Sequence, residues 1–182
     1  MAERGGAPEG AERLPEGLRV LVCTDVWVDY LTDRNGHAAD IVRVFEWVER
    51  RGGTLLAAVS SLQDIFSFVA SFVQERLAQD GDQTSEASRR AVAWECIRLV
   101  RARSAIVGAD LGDCFEAEAF RSTCCSLSEA LALAAVRRGK AHLVLSEQDS
   151  LRAAAPVPAY SVGELVALLG VENSDTSLEE RQ

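Results

Sequence analysis

The sequence has few of the residues that mark disulfide-rich, zinc-binding or membrane proteins. It contains five cysteines, an odd number, with no C-x-x-C pair and only two histidines to join them as metal ligands. We therefore predict neither disulfides nor a zinc site, and expect buried reduced thiols instead. No run of about 18 or more apolar residues occurs, and the N-terminus lacks the basic and apolar regions of a signal peptide. A cytoplasmic protein without a membrane partner is expected.

Positive charge is also scarce. The formal net charge is −9, from 19 Lys and Arg against 28 Asp and Glu. Because contacts of Lys and Arg to phosphate supply most of the affinity of nonspecific nucleic-acid binders, this composition argues against such a protein. Any RNA contact must then be local. The most basic stretch contains Arg98 and Arg101, which are candidate substrate contacts, although a solvated helix face is the simpler interpretation.

The chain is long enough for one domain with a sizeable core, since it has 182 residues and an apolar content of 48%. Residues 1–17 are rich in Gly, Pro, Glu and Ala and have almost no large apolar side chain, which predicts a disordered lead-in. Residues 172–182 are equally polar and predict a mobile tail. The domain itself is predicted at 18–171.

Short apolar runs alternate with helical patterns along this domain. The predicted strands are residues 19–23, 55–59, 105–107 and 142–145, followed by an edge strand near Pro158. Because this alternation requires crossover connections, it predicts a three-layer α/β/α fold with a mainly parallel central sheet. Residues 62–77 are apolar around most of a helical circumference, which predicts a helix buried on several sides or shared with a second subunit in a homodimer. Residues 79–85 are a predicted loop.

Acidic residues recur where a predicted strand ends and a helix begins. They are Asp25 and Asp29 after the first strand, Asp64 after the second, Asp110 and Asp113 after the third, Glu129 before the last long strand, and Glu147 and Asp149 after it. In a parallel sheet, this edge is where ligands usually bind. Mg²⁺ or Mn²⁺ is held by one or two carboxylates with waters and substrate phosphate, so a few converging acids would suffice for metal-assisted phosphodiester hydrolysis.

Helix capping explains the same acids without any function, because negative side chains are favoured at helix N-termini. Asp25 is placed to cap the first helix. Glu129 follows Ser126 by three residues, and Asp64 follows Ser61 by three, which is the spacing of a capping box. From spacing alone, capping is the better explanation of each acid.

The order and context of these segments resemble the PIN-domain family, in the branch related to bacterial toxin-antitoxin ribonucleases. The resemblance covers about residues 19–169. It is carried by 19–34 (RVLVCTDVWVDYLTDR), 58–68 (AVSSLQDIFSF), 126–139 (SLSEALALAAVRRG), 142–151 (HLVLSEQDSL) and 156–164 (PVPAYSVGE). It implies a PIN-like fold in which three or four carboxylates gather one or two Mg²⁺ or Mn²⁺ ions and cut RNA.

The resemblance places the family's four acidic positions on this sequence with two substitutions. The first acid falls on Cys23, with Asp25 two residues later; the second is Asp64, the third is Glu129, and the fourth falls on Gln148. Two of the four positions have therefore lost their charge, which weakens a metal site. The resemblance implies catalytic and metal-binding roles for Asp25, Asp64 and Glu129, with Asp25 replacing the first acid only if its side chain turns inward.

Three functions remain open from the sequence. The first is an Mg²⁺- or Mn²⁺-dependent endoribonuclease with an eroded site, and the second is an inactive PIN-fold module that binds or regulates. The third is a dimeric scaffold without a nucleic-acid role, which the acidic net charge allows. RNA, an antitoxin-like protein and a second copy of the chain are the partners that these hypotheses imply. Carboxylates of Asp25, Asp64 and Glu129 within roughly 5 Å of a common point would favour metal binding.

Overall fold

A computed structural model describes residues 14–79, 85–124 and 126–169. Most of the predicted lead-in at 1–17, most of the predicted loop at 79–85, and the whole predicted tail at 172–182 lie outside these residues. Within them, no helix is long and apolar enough to cross a membrane.

Strands and helices alternate along the described chain. The strands are β1 (Arg19–Val22), β2 (Thr54–Ala58), β3 (Ala105–Val107), β4 (Leu143–Leu145) and β5 (Ala159–Tyr160). The helices are α1 (Thr24–Thr32), α2 (Ala38–Arg50), α3 (Val59–Gln79), α4 (Glu86–Arg103), α5 (Leu111–Glu118), α6 (Leu127–Arg138), α7 (Asp149–Ala154) and α8 (162–169).

The five strands form one sheet in the order β3-β2-β1-β4-β5, and every neighbouring pair is parallel. In the centre, Val20 of β1 lies opposite Leu55 on one side and Leu143 on the other. The central strands are continuous apolar runs because helices cover both faces of a parallel sheet. The predicted three-layer α/β/α fold is thus confirmed.

Two hydrophobic cores lie on the two faces of the sheet, because successive side chains of a strand point to opposite sides. Val20 and Val22 point into the larger core, which also holds Trp27 and Phe45. Leu21 points into the smaller core, built mainly from α6 and neighbouring strands. Helices α1 to α4 therefore cover one face, while α6 covers the other.

Helix α3 begins directly after β2, with no loop between them. Its buried residues Ile65 and Val69 face the larger core, and α3 packs against α1, α4 and α6. Contacts within the chain therefore account for the apolar circumference, so a second subunit is not needed to explain it. The early start also makes the predicted capping box of Ser61 and Asp64 wrong, since Ser61 lies inside the first turn and Asp64 in the second.

No disulfide joins the four described cysteines, which are not uniformly buried. Cys23 is buried, Cys96 and Cys124 are partly covered, and Cys114 is exposed on α5. The expectation of buried thiols is therefore wrong for Cys114. It lies on the exposed side of α5, a short helix whose buried residues are Asp113 and Ala117.

Candidate active site

A cleft of about 210 Å³ opens at the carboxyl ends of the central strands. All five positions that the family resemblance singled out line it: Cys23, Asp25, Asp64, Glu129 and Gln148. They come from the starts of four helices that follow or precede β1, β2 and β4. The parallel topology thus brings together residues that are more than a hundred positions apart in the chain.

Cys23 lines the cleft and occupies the N-cap position of α1. Its thiol is almost fully buried. Burial raises the pKa of the Cys23 thiol well above its ordinary value, and the negative charges of Asp25 and Glu129 add to the rise, while a hydrogen bond with Ser146 opposes it. Since a nucleophilic cysteine needs a lowered pKa, this shift argues against Cys23 as a nucleophile.

Asp25 is 9% exposed and lies in the first turn of α1. The prediction that it caps this helix is wrong, because Cys23 occupies the cap position. Asp25 Oδ2 instead accepts hydrogen bonds from Ser146 Oγ at 2.9 Å and from the Glu147 backbone N–H at 2.6 Å. Asp25 therefore joins α1 to the turn between β4 and α7.

The second oxygen of Asp25 is not satisfied in the same way. Oδ1 is buried and has no hydrogen-bond partner among the described residues. Burial raises the pKa of the Asp25 carboxyl, although the hydrogen bonds from Glu147 N–H and Ser146 Oγ lower it in part. A buried carboxylate oxygen without a donor is costly, so this position favours either a proton or a cation.

Asp64 and Glu129 present their carboxylates to the cleft differently. Asp64 is exposed, and its side chain makes no hydrogen bond or ion pair with any residue that the structure describes. Glu129 forms the predicted capping box: its backbone N–H donates to Ser126 Oγ at 3.1 Å, and its Oε2 accepts from the Ser126 N–H at 3.3 Å. Capping is thus confirmed for Glu129, and Asp64 has no capping role.

The fourth family position contributes an amide. Gln148 stands at the N-cap of α7 without a side-chain cap and lines the cleft. The acids beside it have other partners: Glu147 Oε1 accepts from the Val162 N–H at 2.8 Å, and Asp149 pairs with Arg152. Neither neighbouring acid replaces the missing charge in the cleft.

Arg34 lines the cleft although the sequence did not single it out. Its Nε donates to Asp29 Oδ1 at 2.7 Å, and its guanidinium lies over the Phe68 ring, 4.9 Å from the centroid. Helical spacing could not predict the Arg34–Asp29 pair, because α1 ends between them at Asp33, whose backbone is left-handed with φ 48°. The sequence indicated only that Asp29 is an acid that follows the first predicted strand, and so could lie at the edge of the sheet where ligands bind.

The other candidate residues lie outside the cleft. Arg98 and Arg101 are exposed on α4, and Arg98 forms an ion pair with Glu95. Their contact with RNA stays a prediction without support from the cleft geometry. Asp110 and Asp113 form a capping box at the start of α5 and both pair with Arg138.

The donors in the cleft define which metal it suits. They are carboxylate oxygens, which Mg²⁺ and Mn²⁺ prefer. Among the described residues, however, no group of three or more His, Cys, Asp or Glu side chains is placed to hold one metal ion. The cleft therefore fits a hard cation held by one or two carboxylates and water, and does not fit a three-ligand protein site.

Solved structures with the same fold were found by comparison, whereas no protein-family model and no curated protein matches the sequence. VapBC2 from Rickettsia felis, solved bound to a DNA fragment from its promoter, is 9% identical, with 79% of this chain and 98% of that chain covered and a TM-score of 0.58. VapC20 from Mycobacterium tuberculosis, a sarcin-ricin loop cleaving toxin, is 10% identical, with 74% and 94% covered and a TM-score of 0.54. PAE2754 from Pyrobaculum aerophilum is 11% identical, with 92% and 99% covered and a TM-score of 0.54. At these identities the likeness shows the fold.

Proposed function

We propose, from the premise that this chain has the PIN-domain fold of the VapC toxins, that it is a ribonuclease-like protein with an eroded metal site. One observation carries the proposal: Asp25, Asp64 and Glu129 line a single cleft at the carboxyl edge of the parallel sheet. This edge is where such sheets bind ligands, and the donor set suits Mg²⁺- or Mn²⁺-dependent phosphodiester hydrolysis.

Asp64 and Glu129 are the residues that would hold the cation. Asp64 can turn its carboxylate into the cleft without breaking any contact with the described chain. Glu129 is held at the cleft wall by its capping box, so its position is fixed before a ligand arrives. When bound, the cation would supply Lewis-acid activation of the phosphodiester and of water.

Asp25 has a different role from the other two acids. Its Oδ2 is committed to Ser146 and Glu147, which fixes the cleft wall formed by the β4–α7 turn. Its buried Oδ1 makes no hydrogen bond to a described residue, but the described cleft does not place three such side chains around one ion. Because Cys23 and Gln148 add no charge, we expect cation binding to be in the millimolar range and hydrolysis to be slow.

The proposed partners follow from the fold and the surface. RNA is the substrate class, and an antitoxin-like protein is the proposed macromolecular partner, since VapBC2 and VapC20 share the fold. A homodimer is also proposed. The exposed apolar side chains on α4, Val92, Trp94 and Leu99, support a second copy as their cover.

Calorimetric titration with Mn²⁺ tests the cleft as the metal site. The variant Asp64→Asn/Glu129→Gln is compared with the wild type and with Asp40→Asn/Glu46→Gln, which makes the same charge change on α2. We expect the cleft variant to lose at least tenfold in Mn²⁺ affinity, because both principal ligands lose their charge. The α2 variant should bind as the wild type does. Equal binding by all three proteins would contradict the proposed site.

A second function is favoured by a specific observation, namely that Cys23 and Gln148 are uncharged and that no three-ligand group exists among the described residues. This function is an inactive PIN-fold module that binds RNA or protein. Incubating the wild type with labelled RNA and Mn²⁺ separates the two. Cleavage that disappears in the cleft variant supports the ribonuclease, whereas RNA binding without cleavage supports the module.

A further inference from the structure

Arg34 is the only positively charged residue among the described residues that line the cleft. Three carboxylates, those of Asp25, Asp64 and Glu129, line the same cleft, and the chain has a net charge of −9. A phosphodiester entering such a cleft meets repulsion from each carboxylate. Binding of an RNA strand in the cleft therefore depends on a positively charged side chain that is fixed there.

Arg34 is held in place by two neighbours, Asp29 and Phe68. Asp29, only 1% exposed, accepts from Arg34 Nε through Oδ1 and from Asn35 Nδ2 through Oδ2, both at 2.7 Å. The ring of Phe68, which also lines the cleft, lies under the guanidinium. A charge-assisted bond on one edge and an aromatic face below restrict the guanidinium to a small range of orientations.

The two terminal nitrogens of the guanidinium have no hydrogen-bond partner in the described chain. Of the five N–H groups of Arg34, only Nε–H makes a hydrogen bond with a described residue. Nη1 and Nη2 make none, and the side chain is 36% exposed. Two parallel N–H groups on a planar fork match two oxygens of a phosphate.

We propose that Arg34 binds a backbone phosphate of single-stranded RNA in the cleft, and that Asp29 and Phe68 are its positioning residues. The choice of RNA rests on the proposed function, whereas the phosphate chemistry rests on the guanidinium alone. Preorganisation by Asp29 lowers the entropy lost when the phosphate is bound. Arg34 thereby does locally what Arg98 and Arg101, which lie outside the cleft, cannot do.

Fluorescence anisotropy with a labelled short oligoribonucleotide in EDTA tests this proposal, because EDTA separates phosphate binding from cation binding. Arg34→Gln should weaken binding by about tenfold or more, the usual effect of losing a charged hydrogen-bonding pair. The slope of log K against log salt should become shallower by about 0.7, the value for one phosphate contact on a single strand.

Two further variants distinguish a binding role from a structural one. Arg34→Lys keeps the charge and loses the fork, so we expect weaker binding with the salt slope of the wild type. Arg43→Gln is the matched control, since Arg43 is exposed on α2 and paired with Asp40. It should bind as the wild type does. Arg34→Lys retains the charge beside Asp29. If Arg34→Gln fails to fold, the oligoribonucleotide affinity of Arg34→Lys therefore tests the proposal.

The outcomes separate this proposal from the proposed function. Unchanged affinity and slope in Arg34→Gln overturn the role of Arg34, even if Mn²⁺ binds at Asp64 and Glu129. A wild type that does not bind the oligoribonucleotide overturns it as well. A selective loss in Arg34→Gln supports the role of Arg34, and it does so even if the wild type neither binds Mn²⁺ nor cleaves RNA.

Discussion

Two groups of acids lie at helix starts along the carboxyl edge of the sheet, and their surroundings differ. The cleft contains Asp25, Asp64 and Glu129, whereas Asp110 and Asp113 join Arg138 in what we call the α5–α6 ion-pair cluster. In the cluster, Arg138 Nε donates to Asp113 Oδ2 at 2.7 Å, and Arg138 also pairs with Asp110. In the cleft, buried Asp25 meets only neutral donors and keeps one oxygen without a partner among the described residues.

The difference appears in the pKa of one acid from each group. The hydrogen bond from Arg138, followed by that from the Asp113 N–H, lowers the pKa of Asp110, whereas burial raises the pKa of Asp25. An acid at this edge of the sheet is thus structural where a neighbouring helix provides a positively charged side chain. Where no helix provides one, the acid remains available for a ligand. Position in the sheet alone does not distinguish the two.

The largest expected effect on stability comes from breaking the cluster at its buried acid. Asp113 is 5% exposed, and its Oδ2 accepts from both Arg138 Nε and the Asp110 N–H, each at 2.7 Å. Asp113→Asn removes a charge-assisted bond and the charge at the helix N-terminus. We expect the free energy of unfolding to fall by about 2 kcal/mol, measured by urea denaturation.

The matched control for this variant lies on the same helix. Glu116 pairs with Arg137 at 3.7 Å, and Arg137 is highly exposed. Glu116→Gln should change the free energy of unfolding by less than about 0.5 kcal/mol, because exposed ion pairs contribute little. If both variants lost the same free energy of unfolding, burial would not explain how much the α5–α6 ion-pair cluster contributes to stability.

Much of the fold could be predicted because its signals are local. The apolar runs of β1, β2 and β4 are long enough to indicate buried parallel strands, and the capping box of Ser126 and Glu129 lies within four residues. The error at Asp64 came from the junction of β2 and α3. The residues Val59 to Ser61 suggest a strand end and a cap, but tertiary packing makes them the first turn of α3.

The gathering of acids in the cleft was predictable from topology, whereas their partners were not. Asp25 bonds to Ser146 across 121 positions, and Arg138 bonds to Asp113 across 25. No local pattern encodes such pairs. For the same reason the sequence could not show that Arg34 reaches the cleft, which depends on the turn after α1 and on Phe68 from α3.

A smaller effect is expected from Asp25. Asp25→Asn keeps an acceptor for Ser146 Oγ and the Glu147 N–H while removing a buried charge, so the free energy of unfolding should change by less than about 1 kcal/mol near pH 7. The pH dependence is more telling. Because the folded pKa is raised, the folded state binds more protons than the unfolded state, and the contribution of Asp25 falls as pH rises above its ordinary value of 3.8.

Urea denaturation in EDTA tests whether the contribution of Asp25 to stability falls as pH rises. The raised pKa of Asp25 sets the range of about pH 3 to pH 7. The stability of Asp25→Asn relative to the wild type should increase with pH across this range. A relative stability of Asp25→Asn that decreases with pH would indicate that Asp25 is held as a charged group.

The smallest expected effect has the opposite sign and comes from Asp110 in the cluster. Arg138 lowers the folded pKa of Asp110, so the contribution of this acid is present above its ordinary value of 3.8 and is lost as pH falls through the lowered value. Asp110 is exposed, so solvent screens the pair. Below pH 3.8, the wild type should therefore lose stability slightly more steeply than Asp110→Asn. Parallel acid profiles for wild type and Asp110→Asn would show that Arg138 is committed to Asp113 alone, and the contrast between cluster and cleft would then rest on one buried acid in each.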